Sequence, residues 1–247
     1  MTTTATRPAR NRRPQWLRAT ILQLRVYLYL YAITWLLFLV GIAVAIVLVN
    51  HFGTVDLSVA QFVRTGPLVW FVFALAIMVP SSYLTPHVAN GLTRRSFTVA
   101  SLLAVLVHAH AQAVTATTVM FLEGALYAAM GWQHDVEGGA TPVPGLWEQG
   151  AGILLLDYAL ASLSGAVSGL LLGIAYYRLG GWRGTLLLPL VMVPILAVMF
   201  LSTWGNGSQA WLNGNLAGAA TAVALILAGA VAFALLARNV QITRLET

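Results

Sequence analysis

The chain has no cysteine, no lysine and very little charge of either sign. The absence of cysteine excludes a disulfide framework and any thiolate metal site. Charged residues make up 8% of the 247 residues, against roughly 25% in a typical water-soluble domain. Hydrophobic residues make up 59% and the mean hydropathy is +0.82, so most of the chain is expected to lie in lipid.

Sequence motifs of common catalytic sites are also missing. The chain has no GxxxxGK[ST] loop to hold nucleotide phosphates, and neither a GxSxG nor an HExxH signature. We therefore predict no catalytic residue, no bound cofactor, no metal site and no ATP hydrolysis by this chain itself.

Long apolar segments dominate what is present. A bilayer core of about 30 Å requires around 20 helical residues. Six segments reach that length, which predicts an all-α integral membrane protein with one six-helix domain over residues 15–237. The predicted spans are residues 29–50, 67–88, 97–121, 151–176, 185–204 and 215–237. Two prolines in the second span and two in the fifth, which should kink both helices, are Pro80, Pro86, Pro189 and Pro194.

The segments that flank the spans are polar or amphipathic. Residues 1–14 hold four arginines and little to bury, which predicts a disordered basic tail, and residues 238–247 form a second short tail. Residues 15–27 alternate arginines with apolar side chains, a pattern typical of a helix that lies in the headgroup plane.

The distribution of arginine predicts the orientation. With the N-terminus in the cytoplasm, 12 of the 13 arginines lie on the inner side, and Arg64 alone lies outside. Because basic residues favour the cytoplasmic side, both termini are predicted to be cytoplasmic. Arginines in short clusters beside apolar runs are typical of membrane flanks that contact lipid, so no nucleic-acid partner is predicted.

Four ionisable side chains in or near the spans are candidates for a polar pathway or outer gate. They are His108, His110, Glu123 and Asp157. The two histidines are about 200° apart around a helix, so one helix face cannot bring both to a metal. Each of the four has a structural alternative, a hydrogen bond to a neighbouring helix or a pair at the outer interface.

Small residues recur at every fourth position of the fourth span. Gly165, Gly169 and Gly173 form this stripe, which predicts close packing against another helix, within the chain or in a second subunit.

A basic insert separates the second and third spans. The simplest interpretation is that the insert only fixes the topology, because arginines hold a loop in the cytoplasm. Its residues are Asn90, Gly91, Leu92, Thr93, Arg94, Arg95, Ser96 and Phe97. A second predicted cytoplasmic loop, between the fourth and fifth spans, contains Arg178, Gly181, Trp182 and Arg183.

With its six spans, basic insert and glutamate near the outer end of the third span, the chain resembles the permease subunits of type-2 ATP-binding-cassette exporters. The resemblance covers nearly the whole chain and is strongest to a branch common in actinobacteria. It implies a bacterial cytoplasmic membrane, a separate ATPase subunit that carries ATP and Mg²⁺ and docks near residues 88–97, and a second permease subunit. Family members often carry bulky outer domains or a fused nucleotide-binding domain, which this chain lacks, so its substrate stays open.

Two other classes of function are compatible with the sequence. One is a membrane partner that does not transport, such as an immunity or sensor subunit with the permease shape. The other is an intramembrane enzyme, which would need Glu123, Asp157 and a histidine to converge at one depth.

Overall fold

The computed structural model describes residues 14–53, 58–60, 69–132, 150–203 and 216–240. All regular secondary structure within these ranges is helical. The helices are α1 (Gln15–Phe52), α2 (Val69–Ala89), α3 (Arg94–Met130), α4 (Ala151–Leu186), α5 (Leu188–Val191), α6 (Val193–Thr203) and α7 (Leu216–Arg238). Five of them, α1 to α4 and α7, are long and apolar enough to cross a membrane, which indicates a multi-pass membrane protein. The predicted tail over residues 1–14 falls almost wholly outside the described residues, as do Arg64 and most of the C-terminal tail.

The first helix corrects the prediction of a separate interfacial helix. α1 is continuous over 38 residues, which corresponds to about 57 Å at 1.5 Å per residue. No helix end divides residues 15–27 from residues 29–50, because the segment contains no proline and only one glycine, Gly41. The arginines of residues 15–27 therefore lie on the same helix as the predicted first span.

Helices α3 and α4 also run past their predicted ends. α3 begins at Arg94 and ends at Met130, where Gly131 adopts a left-handed conformation with φ 69°. α4 continues to Leu186, so the predicted loop after residue 176 is a bend inside a helix. The bend lies at Gly180, whose φ of 77° and ψ of 178° are not helical. Glycine adopts this backbone conformation without the steric cost that a side chain would add.

The predicted fifth span, residues 185–204, is interrupted. After α4 the chain forms α5 and α6. Leu187 separates α4 from α5 and Met192 separates α5 from α6, both at φ −83°. Pro189 and Pro194 lack an N–H, so each removes one hydrogen bond from the helical ladder. Neither short helix is long enough by itself to cross a bilayer.

The second span keeps its helix through both prolines. α2 is continuous from Val69 to Ala89 and contains Pro80 and Pro86. The two prolines therefore do not end the helix.

Helices α1 and α3 run in parallel. Gln23 of α1 bonds to Ser101 of α3, and Trp35, farther along α1, bonds to Gln112, farther along α3. The order of contacts is the same on both helices. α2 runs in the opposite direction to α3, because only a short turn joins the two helices.

Helices α2 and α4 also run in parallel, with their backbones in close contact. A methyl group at Gly169 would lie 2.3 Å from the carbonyl oxygen of Phe73, and one at Gly173 would lie 2.4 Å from that of Ile77. Gly165 faces the Val69 carbonyl in the same way, at 2.7 Å. The glycine stripe thus lies against α2 of the same chain, where only hydrogen fits.

Helix α4 is the centre of the bundle. It packs against α2, α3, α6 and α7, whereas α1 reaches the bundle mainly through α3. Fully buried side chains of α4, such as Leu170 and Ile174, lie in the main hydrophobic core. The alternation of helix directions puts the start of α1, the α2–α3 turn, the bend of α4 and the end of α7 at one end of the bundle. We call it the basic end, because the seven arginines in the described residues all belong to these segments.

Gly169→Ala should destabilise the protein, because the added methyl group would overlap the α2 backbone and force the helices apart. We expect a loss of about 1–3 kcal/mol in unfolding free energy, the usual cost of overpacking. Thermal unfolding in detergent measures it. Gly41→Ala is the matched control, since nothing lies within 4 Å of that site. Equal behaviour of the two variants would contradict the assigned contact.

Candidate functional site

The turn between α2 and α3 is closed by hydrogen bonds of its own backbone. The Leu92 N–H donates to the His87 carbonyl at 3.2 Å, and the Gly91 N–H donates to the Val88 carbonyl at 2.9 Å. This pair of bonds is a Schellman motif, and Gly91 adopts the positive φ of 74° that the motif requires. The Asn90 side chain adds a bond to the Pro86 carbonyl at 2.7 Å. The end of α2 is therefore capped by hydrogen bonds to the carbonyls of Pro86, His87 and Val88.

The start of α3 is capped as well. The Thr93 hydroxyl accepts a hydrogen bond from the Ser96 N–H at 3.1 Å, and the Ser96 hydroxyl donates to the Thr93 carbonyl at 2.7 Å. The Ser96 hydroxyl also lies 3.0 Å from Nε2 of His87 on α2. The Phe97 ring is fully buried and packs edge-on against the His87 ring, with centroids 5.6 Å apart. Cap and ring contacts together make the turn a rigid corner.

Arg94 and Arg95 occupy the first turn of α3, where the helix dipole disfavours positive charge. Arg94 is half-buried and Arg95 is exposed. Because two cations at a helix N-terminus carry a cost of a few tenths to about 1 kcal/mol each, their presence points to an external anion or an orientation signal.

A groove of about 500 Å³ lies between the turn and the start of α1. Asn90, Gly91 and Leu92 form one wall, and Gln15 and Arg18 belong to the opposite wall. Its volume falls within the range of sites that hold a ligand or an inserted side chain. The basic insert therefore borders a concave surface.

The second predicted loop lies at the same end. Gly181, Trp182 and Arg183 follow the bend at Gly180 and are all exposed, Trp182 at 78%. Arg178, just before the bend, is also exposed. An exposed tryptophan beside arginines is typical of a membrane–water interface.

A hydrogen bond ties this bend to the end of α2. The hydroxyl groups of Thr85 and Tyr177 are 2.8 Å apart. Below them, α2 and α4 are in backbone contact along the glycine stripe. The two predicted cytoplasmic segments are thus parts of one continuous surface, joined through α2.

A polar seam between α1 and α3 was not predicted from the sequence. The Trp35 indole N–H donates to the Gln112 amide oxygen at 2.7 Å, and the Gln23 amide donates to the Ser101 hydroxyl at 3.3 Å. Tyr31 bonds to the Ala111 carbonyl at 3.3 Å and contacts the Thr115 hydroxyl. The signal available in the sequence was the four-residue spacing of Gln23, Tyr27, Tyr31 and Trp35 on one face of α1.

The two histidines of α3 have different environments. His108 is 4% exposed and packs against Tyr27 and Tyr31 of α1, with ring centroids 5.0 and 5.8 Å apart. His110 is exposed, and its Nδ1 lies 2.8 Å from the Leu106 carbonyl of its own helix. Only His108 belongs to the seam, so the pair does not form a joint site. Among the described residues no group of three or more potential metal ligands is found.

Glu123 fastens a short connecting segment at the opposite end of the bundle. Its Oε1 accepts the backbone N–H groups of Val59 and Ala60, both at 2.9 Å, and its Oε2 accepts the Ser58 hydroxyl. The carboxylate is 5% exposed and lies about 44 Å along α3 from Arg94. These hydrogen bonds satisfy a carboxyl group that is buried away from water. Asp157, on the second turn of α4, is also buried at this end.

Comparison with known proteins returns no similarity: no protein-family model matches the chain, and no curated protein or solved structure matches it. The class of protein is therefore defined by the fold alone, as an all-helical bundle of the multi-pass membrane type. Its most distinctive surface is the basic end, with the capped turn, the adjoining groove and the exposed bend of α4.

Glu123→Ala should release residues 58–60 from α3, because three hydrogen bonds are lost together. We expect the amide protons of Val59 and Ala60 to exchange at least about tenfold faster, which is about 1.4 kcal/mol of protection. Hydrogen–deuterium exchange measures this change. Thr118→Ala is the control, since its exposed hydroxyl bonds only to the Val114 carbonyl of its own helix among the contacts seen. Unchanged exchange in the Glu123 variant would contradict the assigned role.

Proposed function

We propose that this chain is the membrane-spanning subunit of an ATP-driven exporter of the type-2 ATP-binding-cassette class. A separate ATPase subunit would bind at the basic end, and a second permease subunit would complete the translocation pathway. The main observation behind the proposal is the capped turn at residues 90–93, which joins two long helices and borders a groove. Two arginines follow it in the first turn of α3, where the helix dipole disfavours positive charge. ATP and Mg²⁺ would be bound by the partner, because this chain has no phosphate-binding loop.

The proposal includes six spans. Residues 181–203 would form the fifth, as one proline-bent helix made of the end of α4 followed by α5 and α6. Hydrogen bonds of the helical type continue through the breaks: the Val191 N–H reaches the Leu187 carbonyl at 3.0 Å and the Leu196 N–H reaches the Met192 carbonyl at 2.9 Å. This stretch would rise about 34 Å, enough to cross the hydrocarbon core.

The proposed orientation puts the basic end in the cytoplasm. Its support is the grouping of the described arginines at one end and of Glu123 and Asp157 at the other, which agrees with the preference of positive charge for the inner side. The membrane itself would be the cytoplasmic membrane of a bacterium.

The proposed mechanism is transmission of force from the turn. Movement of the ATPase subunits would displace residues 88–97, and a capped turn transfers displacement without dissipating it in local bending. α2 would carry the motion to α4 through their backbone contact, and α3 would carry it to α1 through the polar seam. The second subunit would cover apolar side chains exposed on α1 or α7, such as Leu36, Leu37 and Leu227.

Single-cysteine labelling tests the orientation, since the chain has no cysteine of its own. Asn90→Cys marks the basic end and Trp132→Cys the opposite end. In intact cells a membrane-impermeant maleimide should label residue 132 and leave residue 90 unlabelled. After permeabilisation of cells that lack the ATPase subunit, which would otherwise cover residue 90, both should react, and this controls for access. Labelling of residue 90 in intact cells would overturn the orientation.

Affinity purification from the native membrane tests the function. We expect an ATPase subunit to co-purify in equal amounts with the chain. Charge reversal in Arg94→Glu should lower its recovery at least about tenfold, equivalent to about 1.4 kcal/mol of binding free energy. Arg25→Glu, an exposed site on α1 at the same end, is the control and should leave recovery unchanged.

Two outcomes would contradict the proposal. Purification of the intact chain without any ATPase would favour the non-transporting partner. Recovery of the ATPase at full level with Arg94→Glu would remove the docking role of the insert.

A further inference from the structure

A second cavity at the basic end lies between the start of α3 and the end of α7. Its volume is about 470 Å³. Arg95 and Arg238 line it from the two helices, and the other lining side chains are Thr98, Val99, Leu102, Ala234 and Leu235. Two guanidinium groups from distant parts of the chain thus border one cavity with a mainly apolar interior.

The charges around this cavity favour an anion. Arg238 is in the last turn of α7, where the helix dipole favours a cation, whereas Arg95 is in the first turn of α3, where the dipole adds to its positive potential. An anion bound between them would interact with both guanidinium groups and with the N-terminus of α3. The two carboxylates in the described part of the chain, Glu123 and Asp157, belong to the other end of the bundle.

The apolar part of the cavity is bordered by exposed side chains. Val99 is 37% exposed and Leu235 is 59% exposed, and both lie within two turns of an arginine. Leu102 continues the apolar surface one further turn along α3. A ligand that fits must therefore carry a negative group at one end and hydrocarbon at the other.

We propose that this cavity binds one anionic phospholipid, with its phosphate between Arg95 and Arg238 and an acyl chain along Val99, Leu102 and Leu235. Basic pockets between membrane helices are suited to such headgroups, because arginine forms paired hydrogen bonds with phosphate oxygens. The two adjacent arginines of the insert therefore have different roles. Arg95 lines the lipid cavity, whereas Arg94 does not and belongs to the surface of the turn. The proposal depends on membrane insertion of the bundle and not on ATP-driven export.

Native mass spectrometry of the chain purified in detergent, without any ATPase, tests the site. Titration with phosphatidylglycerol should give one lipid that stays bound after other lipids are removed, and phosphatidylcholine should give none. Arg95→Gln and Arg238→Gln should each weaken binding about fivefold, the equivalent of about 1 kcal/mol per arginine at an anionic lipid. Arg25→Gln removes the same charge elsewhere on the basic end and should leave binding unchanged.

A second variant separates a shaped site from general attraction between charges. Ala234→Phe keeps both arginines and fills the apolar part of the cavity, so it should also lower phosphatidylglycerol retention. Its thermal unfolding is measured in parallel, and Ala234→Val replaces it if the protein does not fold. An excess of inorganic phosphate should not displace the lipid, because phosphate lacks the acyl contact.

Three results would overturn the proposal. They are equal retention of the two lipids, equal loss in the Arg25 control, and full displacement of the lipid by inorganic phosphate. Lipid binding can succeed while no ATPase co-purifies, and the reverse can also occur, so this test and the test of the exporter proposal fail independently.

Discussion

The backbone contact between α2 and α4 is the constraint on which the rest of the bundle depends. Without hydrophobic driving force between helices in lipid, association depends on close packing and hydrogen bonds. Gly169 and Gly173 allow the carbonyl oxygens of Phe73 and Ile77 to come within 2.3 and 2.4 Å of where a methyl group would be. Once α4 is in this position, its other faces are available to α3, α6 and α7, and a larger residue in the stripe would displace all of them.

The two parallel helix pairs are held by different chemistry. α2 and α4 meet through glycines, whereas α1 and α3 meet through side-chain hydrogen bonds such as the one from Trp35 to Gln112. A polar seam favours one register, because a shift by one residue would separate Trp35 from Gln112 and Gln23 from Ser101. The turn at residues 90–93 joins the two pairs, and its caps leave little freedom between them. This arrangement gives the basic end a direct physical connection to both halves of the bundle.

Hydropathy located the helices more accurately than it located their ends. The predicted span over 97–121 lies inside a helix that runs from Arg94 to Met130, and residues 15–27 continue into the first span without a break. The length of an apolar run reflects the thickness of the hydrocarbon core. The end of a helix depends instead on a local proline, glycine or capping residue. At Pro189 and Pro194 the helix ends inside the apolar run. This segment is apolar enough to span, but two missing N–H groups divide it into short helices.

Local properties of the residues were readable directly: the apolar character of the spans, the grouping of arginines and the small-residue stripe each follow from neighbours within a few positions. The partners of these residues were not readable, because a helical period identifies a face but not the surface that covers it. The bonds from Glu123 to residues 58–60 and the shared cavity of Arg95 and Arg238 join positions more than 60 residues apart. Such pairings exist only once the helices have packed, and no spacing along the chain specifies them.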